Sequence, residues 1–452
     1  MRFDLSYEWL EDLSAIRLDA HRCTMANLVL IVGDHTLTQN LPLHPDEGAD
    51  VVRDFVQVSV YPLAEFVAAN WWALLHEPWE KESLVSDQLS FKQRHWINSH
   101  TDGFSYPTAG FFGADTTVRV VARPTHIDAA DIQFPLPAKR VGSGWDAVER
   151  ASVEDALMAL MRAVTERLPH GEDRAWLADA VRRIESSRAD AEEFVYCRCA
   201  GLLGADPYLP GPELEHVIDE TTSILGLELA TELFATAQAQ DVLARASWVE
   251  REARQLVSQK RGIGGSAIEL KAGFATSGCD LPSAKPWDRG YDAARRLRVL
   301  LDLNPAHSLQ TLDAVSQALL GLDAADLVDV AEIESKYGLR GVACQDSRGL
   351  GVAIDQSSGA NQQFQLAAIF SDFLLSGGGE IFLSTRASTD RQKCNRAFAA
   401  EFLAPIAGIR ERLSSDRVVG REQVQQVAKD FGVSAPIVQY QLQNQAPELL
   451  EP

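Results

Sequence analysis

Gln-Gln-Phe-Gln-Leu-Ala-Ala-Ile-Phe-Ser-Asp-Phe-Leu-Leu-Ser, residues 362–376, is the stretch that decides how the last third of the sequence folds. Its apolar and small residues recur at spacings of three and four, which is typical of a helix that buries one face. That face carries Phe364, Ala368, Ser371 and Leu375. Beyond the glycines at 377–379, residues 394–403 read Cys-Asn-Arg-Ala-Phe-Ala-Ala-Glu-Phe-Leu and stop at Ala404-Pro405, where proline prevents a further turn. The sequence therefore predicts two buried helices that face each other.

These two helices resemble the helix pair of the ImmA/IrrE family of zinc metallopeptidases. In that family the first helix reads approximately Arg-Phe-Thr-Leu-Ala-His-Glu-Leu-Gly-His-Leu-Leu-Leu-His, and the second ends in Phe-Ala-Ala-Glu-Leu-Leu-Met-Pro. Residues 364–367 and 373–375 match the first motif, and residues 398–405, Phe-Ala-Ala-Glu-Phe-Leu-Ala-Pro, match the second more specifically. Residues 338–354 are similar to the family's short hairpin, and residues 424–442 to its closing helix-turn-helix-like element. The resemblance covers about residues 286–445 and implies a zincin-like C-terminal domain.

The residues that would make this domain an enzyme are missing from the motif positions. The family's two histidine ligands fall on Ala368 and Asp372, and its general-base glutamate falls on Ile369. A third ligand falls within residues 390–392, which are Asp, Arg and Gln. Catalytic zinc uses about three protein ligands, and all ten histidines lie at or before His307. We therefore expect a pseudo-metallopeptidase with no metal, no other cofactor and no catalytic residue in this domain.

Asp372 lies one turn after Ala368, so the predicted helix buries its carboxylate where a zinc ligand would lie. An unpaired buried charge costs several kcal/mol, so this carboxylate requires a cation or hydrogen-bond donors, or else must be protonated. Arg391 and Arg396, in the region of the facing helix, are the natural partners. The sequence therefore predicts an ion pair that joins the same two segments as the zinc of the family.

The rest of the chain divides by pattern into further parts. Its 452 residues, 46% apolar and 23% charged, suggest several domains of ordinary globular composition. Strand-like runs predict a β-rich domain over residues 1–140, with one helix inside it, and helical stripes predict a helical domain over 145–259. Glycines and prolines make 260–286 a predicted linker, and the peptidase-like domain takes 287–452. The predicted fold class is a multidomain α+β protein.

The charge balance and the apolar runs restrict the partners of the chain. The net charge is −22, from 42 basic and 64 acidic residues, which disfavours nucleic acid and anionic membranes as general partners. No apolar run reaches the length of a membrane span, and the first residues carry charges where a signal peptide has an apolar run. Six cysteines, with only Cys197 and Cys199 closely spaced, show no disulfide framework. We expect a cytoplasmic protein that does not bind membranes.

The C-terminal element has the order helix, glycine turn, helix that is typical of a helix-turn-helix. Its second helix, residues 434–445, contains no Lys or Arg, so phosphate anchoring would have to come from nearby basic residues while Gln439 and Gln441 touch base edges. These basic residues are Arg410, Arg412, Arg417, Arg421 and Lys429. We expect this element to pack against the peptidase-like core rather than to read a DNA groove. A DNA-associated transcriptional regulator is the first alternative function.

Three histidines of the N-terminal domain, His76, His95 and His100, give a second alternative, an enzyme with its site there. Pro78 breaks the helix straight after Glu77, so His76-Glu77 cannot begin a zinc-binding helix, and structural roles are favoured. The favoured function is a catalytically inactive metallopeptidase-like protein that binds a protein partner in bacterial regulation, stress response or defence against phages and mobile elements. An exposed strand edge beside the retained cleft would accept a peptide by adding a strand.

Overall fold

The computed structural model describes residues 2–11, 19–42, 52–83, 87–124, 132–135, 147–209, 211–258, 265–276, 285–324, 328–331, 338–346, 349–356, 359–413 and 419–450. The chain separates into two compact units. Unit 1 comprises Met1–Glu220 and Ala237–Gln240, and unit 2 comprises Thr221–Thr236 and Asp241–Pro452. Both units combine helices with small sheets. The α+β class predicted from the sequence is therefore confirmed.

Unit 1 packs antiparallel strands against helices. Its strands are β1 (Phe3–Trp9), β2 (Met25–Val32), β3 (His35–Thr36), β4 (Leu41–Pro42), β5 (Val56–Ser59), β6 (Thr108–Ala114), β7 (Thr117–Arg123), β8 (Ile132–Gln133) and β9 (Val148–Glu149). Its helices are α1 (Asp19–Cys23), α2 (Tyr61–His76), α3 (Gln88–His95), α4 (Arg150–Arg167), α5 (Glu172–Ala189) and α6 (Ala191–Leu203), and α7 (Pro212–Leu225) leads into unit 2. The strand β2 pairs with β1, β3 and β5, while β7 joins β6 to β9 and β4 pairs with β8.

The helix α2 lies in the core of unit 1. Pro62 in its first turn favours a helix start, and Trp71 and Trp72 are both buried, with 2% and 3% of their surface exposed. The indole nitrogen of Trp72 donates to the Tyr208 hydroxyl at 3.0 Å, which satisfies the polar end of this ring. The helices α4 and α5 bury apolar side chains in the same core as β1 and β2. The predicted division at residues 140–145 therefore does not coincide with the boundary between the units.

Unit 2 contains the two helices predicted from the quoted stretch. Its helices are α8 (Leu227–Phe234), α9 (Ala239–Ser258), α10 (Gly265–Thr276), α11 (Pro286–Leu300), α12 (Leu312–Leu320), α13 (Gly359–Leu375), α14 (Asp390–Leu403), α15 (Ile406–Leu413), α16 (Arg421–Phe431) and α17 (Ala435–Gln445). Its strands are β10 (Val328–Ala331), β11 (Leu339–Asp346), β12 (Gly349–Asp355) and β13 (Ile381–Thr385), in the order β10-β12-β11-β13. Only β10 and β12 run parallel in this sheet as described.

Both faces of the sheet of unit 2 are apolar. Successive side chains along a strand point to opposite faces, and both sets are buried among apolar residues. Ala343 and Val352 belong to the core cluster that contains α13 and α14, whereas Val342 and Ala353 belong to the cluster that contains α8 and α9. The helix α13 therefore packs across one face of the sheet, and the edge strand β13 follows it directly along the chain. This arrangement places Asp372 of α13 beside the backbone of β13.

Two parts of unit 2 differ from the sequence-based expectation. The helix α14 starts at Asp390, one turn before the predicted start, because the Thr389 side chain accepts from the Gln392 amide and caps the helix. The segment 260–286, predicted as a linker, contains α10, whose Ala267 and Phe274 are buried in the core of unit 2. Within the described residues, no helix combines the length and the apolar character needed to cross a membrane.

We predict opposite effects on stability for two glycine-to-alanine substitutions. At Gly201 of α6 an added Cβ would lie 2.5 Å from the backbone oxygen of Trp72, whereas at Gly273 of α10 nothing lies within 4 Å. Gly201→Ala should lower the free energy of unfolding by about 1–3 kcal/mol because the two helix backbones must separate. Gly273→Ala should raise it by up to about 1 kcal/mol, because alanine favours helix. Urea unfolding measures both, and equal effects would contradict the close approach of α6 to α2.

Candidate functional site

Asp372 lies at the centre of the helix pair and is 3% exposed. The Arg391 guanidinium donates to both carboxylate oxygens, from Nε to Oδ1 at 2.6 Å and from Nη2 to Oδ2 at 2.7 Å. The Asn395 amide donates to Oδ1 at 3.1 Å, and the backbone amide of Leu383 donates to Oδ2 at 3.2 Å. These four donors replace the water that the carboxylate loses on burial. The carboxylate thus joins α13, β13 and α14.

Arg391 is the arginine that pairs with Asp372. Arg396, the other arginine considered from the sequence, donates from Nη1 to the backbone oxygen of Ala387 at 2.8 Å. Arg391 also donates from Nη1 to the exposed carboxylate of Glu228 on α8 at 2.9 Å. Burial lowers the pKa of Arg391, but the hydrogen bond and the charge of Asp372 outweigh this effect and raise the pKa above its usual value. Arg391 therefore stays cationic.

The edge of β13 beside this ion pair is occupied by side chains. The Leu383 amide donates to Asp372, and the Leu383 carbonyl accepts from Gln392 Nε2 at 2.9 Å. The Thr385 amide donates to Gln392 Oε1 at 3.1 Å. These are the backbone groups that an added peptide strand would need. The exposed strand edge expected beside the helix pair is therefore not open at Leu383 and Thr385.

The other two motif positions, Ala368 and Ile369, are core residues. Ala368 is 2% exposed and Ile369 is fully buried, where it packs towards Gly341 of β11. Nearby, the Lys271 ammonium of α10 lies 4.6 Å from the centre of the Phe373 ring. Burial lowers the pKa of Lys271, and the charge of Asp372 opposes this shift. The described residues contain no group of three or more His, Cys, Asp or Glu side chains that could hold a metal ion.

Glu232 of α8 is a second buried carboxylate close to this site, and sequence reasoning missed it. It is 3% exposed and accepts from Thr389 Oγ1 at 2.7 Å and from Thr385 Oγ1 at 3.4 Å. Glu232 lies more than 150 positions before these threonines, so no local pattern connects them. Together with Glu228, it joins α8 to the start of α14.

The C-terminal element packs on the helix pair through a buried carboxylate, Glu401 of the Phe-Ala-Ala-Glu motif. Glu401 accepts from Arg295 Nε at 2.9 Å, from Gln441 Nε2 at 2.7 Å and from Gln445 Nε2 at 3.0 Å. Gln441 is 1% exposed and also donates to the Ala404 carbonyl at 3.0 Å. The inner face of α17 is therefore buried against the core of unit 2.

The residues considered for DNA contact are dispersed. Gln441 is buried and cannot reach a base edge without unpacking α17, whereas Gln439 is exposed. Arg421 and Gln439 line a cavity of about 510 Å³ together with Val424, Ala435 and Leu450. Arg417 lies outside the described residues. The structure thus brings Arg421 and Gln439 together and separates Gln441 from them.

The three histidines singled out in the sequence, His76, His95 and His100, do not meet in one site. His76 stacks on Trp72 at 5.8 Å between ring centres, and His100 packs against Phe66 at 5.5 Å. Burial, followed by the charges of Arg150 and Arg198, lowers the pKa of His76 well below its usual value, so this ring is neutral. His95 contacts the carboxylate of Glu77, at 3.0 Å from Nε2.

Glu77 is the centre of a buried ion-pair cluster that was not predicted from the sequence. Its carboxylate is fully buried and accepts from Arg94 Nε and Nη2, both at 3.0 Å, in addition to His95. Gly204 lies so close that an added Cβ would be 2.4 Å from Glu77 Oε1. Burial raises the pKa of Glu77, but His95, Lys81 and Arg94 outweigh it and lower the pKa to about 2. Because Glu77 and His95 are both fully buried, the cluster connects structural elements rather than receiving a substrate.

Comparison with protein-family models and with curated proteins found no relative of this chain. No protein-family model matches the sequence, and no curated protein matches it significantly. The similarity to the ImmA/IrrE peptidases therefore stands on the two helix motifs and their flanking segments and stays a prediction.

Removal of the Asp372 carboxylate should strongly destabilise unit 2. Asp372→Ala leaves the Arg391 charge buried without its main partner, and breaking such a pair lowers the free energy of unfolding by about 3–5 kcal/mol. Glu448→Ala is the matched control, since Glu448 pairs with Arg410 at the surface, and it should cost less than about 1 kcal/mol. Chemical denaturation measures both variants. An unchanged stability of Asp372→Ala would show that the carboxylate is solvated and that α13 is rotated from the position described.

The Glu77 cluster should make unit 1 sensitive to acid. A carboxylate with a lowered pKa stabilises the fold above its unfolded value of 4.5, and this contribution disappears as the pH falls through about 2. The shift corresponds to roughly 3 kcal/mol. The unfolding free energy of the wild type should therefore fall by roughly this much more than that of Glu77→Gln over the same pH range. Parallel pH profiles of the two proteins would contradict an ionised Glu77 at the centre of the cluster.

Proposed function

We propose that this chain is a metallopeptidase-like protein without peptidase activity that acts in the bacterial cytoplasm by binding a protein partner, in regulation, stress response or defence against mobile elements and phages. The observation that carries the proposal is the Asp372–Arg391 ion pair. By the resemblance to the ImmA/IrrE family, Asp372 stands at the position of one metal ligand and Arg391 in the segment that would hold another. A guanidinium there supplies the positive charge that joins the two segments, as the zinc would in a peptidase of that family.

The chemistry of these positions supports binding rather than cleavage. Both oxygens of Asp372 are hydrogen-bonded to Arg391, and a zinc ion would have to displace a cation that is held by the chain itself. A general base must accept a proton from the attacking water, and the isoleucine at position 369 has no group that can do so. The described residues thus supply neither a ligand set nor a base at the motif positions.

The two alternatives have less support from the described residues. DNA binding would need several phosphate contacts beside α17, and the exposed side chains of this helix, which include Gln439 and Gln443, contain no Lys or Arg. Of the two arginines named for this role, only Arg421 is described, beside Gln439. An enzyme site around the histidines of unit 1 would need side chains that reach solvent, and His95 and Glu77 do not. A binding function for the whole chain is therefore the proposal that the contacts favour.

Elemental analysis and partner capture test the proposal together. Purified full-length chain, incubated with zinc and passed through a desalting column, should retain no stoichiometric metal. Affinity capture after cross-linking in the native host should recover a protein partner at its full length, because the complex does not cleave it. One zinc per chain held by residues after position 308, or a partner recovered as fragments only with the wild-type chain, would overturn the proposal.

Restoring the family's zinc-binding residues should not restore an enzyme. The triple variant Ala368→His, Ile369→Glu and Asp372→His still lacks a glutamate among residues 390–392, and it leaves Arg391 facing the new imidazole. It also introduces a carboxylate at the fully buried position 369, which costs several kcal/mol. We expect no peptide hydrolysis and a lower unfolding temperature than for Asp372→Ala alone. Zinc-dependent hydrolysis by this variant would show that the site is closer to a peptidase than the account allows.

A further inference from the structure

Within the part of the chain that the structure describes, no strand pairs with the outer edge of β1. Its even-numbered residues bond to β2, since the Gly33 amide donates to the Arg2 carbonyl at 3.0 Å and the Leu10 amide donates to the Met25 carbonyl at 2.9 Å. The backbone groups of the odd-numbered residues therefore point away from β2, because bonding directions alternate along an antiparallel strand. The backbone amide and carbonyl of Phe3 are both hydrogen-bonded to the Ser152 hydroxyl of α4. Those of Leu5 and Tyr7 make no hydrogen bond to the part of the chain that is described.

A groove continues this open edge at Leu5. It has a volume of about 780 Å³ and lies between the start of β1 and the start of α4. Small side chains on α4 leave this space, and three of the four charged side chains in its lining are acidic. Its lining residues are Arg2, Phe3, Asp4, Leu5, Glu149, Ala151, Ser152, Asp155 and Ala156. The unpaired strand edge is therefore adjacent to a cleft of predominantly negative charge.

The side chains of β1 define what an added strand would have to present. Leu5 and Tyr7 pack against the core of unit 1, whereas Ser6 and Glu8 are exposed and Asp4 is half-buried. Neighbouring strands place their side chains in register on the same two faces. An added strand would thus lay apolar side chains beside Leu5 and Tyr7, and its alternate side chains would lie beside Asp4 and Glu8. Charge complementarity requires those alternate side chains to be basic.

A second copy of this chain is disfavoured at the edge in the register centred on Ser6. Antiparallel pairing of two β1 strands about Ser6 would place Asp4 of one copy opposite Glu8 of the other. Like charges directly opposite each other destabilise a strand pair. Arg2 lies 2.8 Å from Asp4 within the same chain, but this pair is exposed and weakens the repulsion only in part.

We infer that the outer edge of β1 binds an extended segment of a protein partner in which apolar residues alternate with Lys or Arg, by adding a strand. The inference rests on the proposed function of partner binding and assigns the surface and the kind of segment. All the strand pairs of this sheet are antiparallel, and the added strand pairs antiparallel as well. Residues of the segment opposite Leu5 and Tyr7 then exchange backbone hydrogen bonds with them, and these are its apolar residues.

The probe is the blocked peptide Lys-Val-Lys-Val-Lys-Val-Lys, and the measurement is amide hydrogen exchange in the full-length chain. In the free protein the amides of Leu5 and Tyr7 should exchange fast, whereas those of Ser6 and Glu8, which bond to β2, should exchange slowly. The peptide should slow hydrogen exchange at the amides of Leu5 and Tyr7 and should change the exchange rates of Ser6 and Glu8 little. The peptide with Glu in place of Lys should have no effect, because it would repel Asp4 and Glu8.

Two N-methylated peptides of the same composition test the strand geometry. N-methylation of the valines removes the amides that face β1 and should abolish protection of Leu5 and Tyr7. N-methylation of the lysines removes amides that face solvent and should preserve it. Equal behaviour of the two peptides, or no change at Leu5 and Tyr7 with saturating unmodified peptide, would overturn the inference.

Matched variants of the chain complete the test. Leu5→Pro removes an outward amide that β2 does not use, and Glu8→Lys reverses one charge on the exposed face. Both variants should bind the unmodified peptide more weakly than the wild type. The affinity of Glu8→Lys should fall by roughly five- to tenfold at low salt, whereas Glu215→Lys on α7 should not change it. If the chain holds no metal, and Leu5→Pro and Glu8→Lys capture the host partner as well as the wild type does, the inference about β1 is overturned while the proposed function stands. A zinc-bound, cleaving chain whose Leu5 and Tyr7 amides are still protected would overturn only the proposed function.

Discussion

The ion pair between Asp372 and Arg391 is the interaction on which the arrangement of unit 2 around α13 depends. It joins two helices and, through the Leu383 amide, the edge strand of the sheet. Two parallel hydrogen bonds fix the orientation of the guanidinium, and a third from the same group reaches Glu228. A buried ion pair stabilises a fold only when its remaining hydrogen-bonding groups are satisfied. Here Asn395 and Leu383 satisfy those of the carboxylate.

The same interaction links the structure to the proposed function. A metal ion in a peptidase acts as a Lewis acid and carries a water molecule, whereas a guanidinium only supplies charge and hydrogen-bond donors. The side chains of Asp372 and Gln392 also occupy the edge of β13, so a peptide cannot pair there as the resemblance to a peptidase would imply. The partner binding that we propose therefore has to use another surface. The outer edge of β1, which is unpaired among the described residues, is the surface that we infer for it.

Local sequence patterns predicted the helix pair and the need for a partner at Asp372. Helical spacing identifies α13 and α14, and the cost of burying a lone carboxylate calls for a cation, hydrogen-bond donors or a proton, but the choice of Arg391 over Arg396 came from the structure. The same patterns could not show Glu232, which contacts Thr389 from 157 positions away. They also could not show that Glu77, Arg94 and His95 meet, because that contact depends on how α2 packs against α3. Non-local contacts of this kind need the assembled core.

The sites assigned to the C-terminal element show a different limit. Gln439 and Gln441 were both considered for base contacts, although residues two apart on a helix do not face the same way. The structure buries Gln441 against Glu401 and exposes Gln439. Helical geometry alone could have separated the two, but the choice of the buried face required the position of Glu401. The segment 260–286 was similarly assigned as a linker because its glycines obscured the apolar positions of α10.

A double-mutant cycle between Asp372 and Arg391 measures how much the two side chains stabilise each other in the fold. Unfolding free energies are measured for the wild type, Asp372→Asn, Arg391→Gln and the double variant. We predict that the double variant is more stable than the sum of the single effects implies, with a coupling energy of about 2–3 kcal/mol, since each single change leaves one buried partner uncompensated. Additive effects, within about 0.5 kcal/mol, would show that the two side chains do not hold the helix pair together.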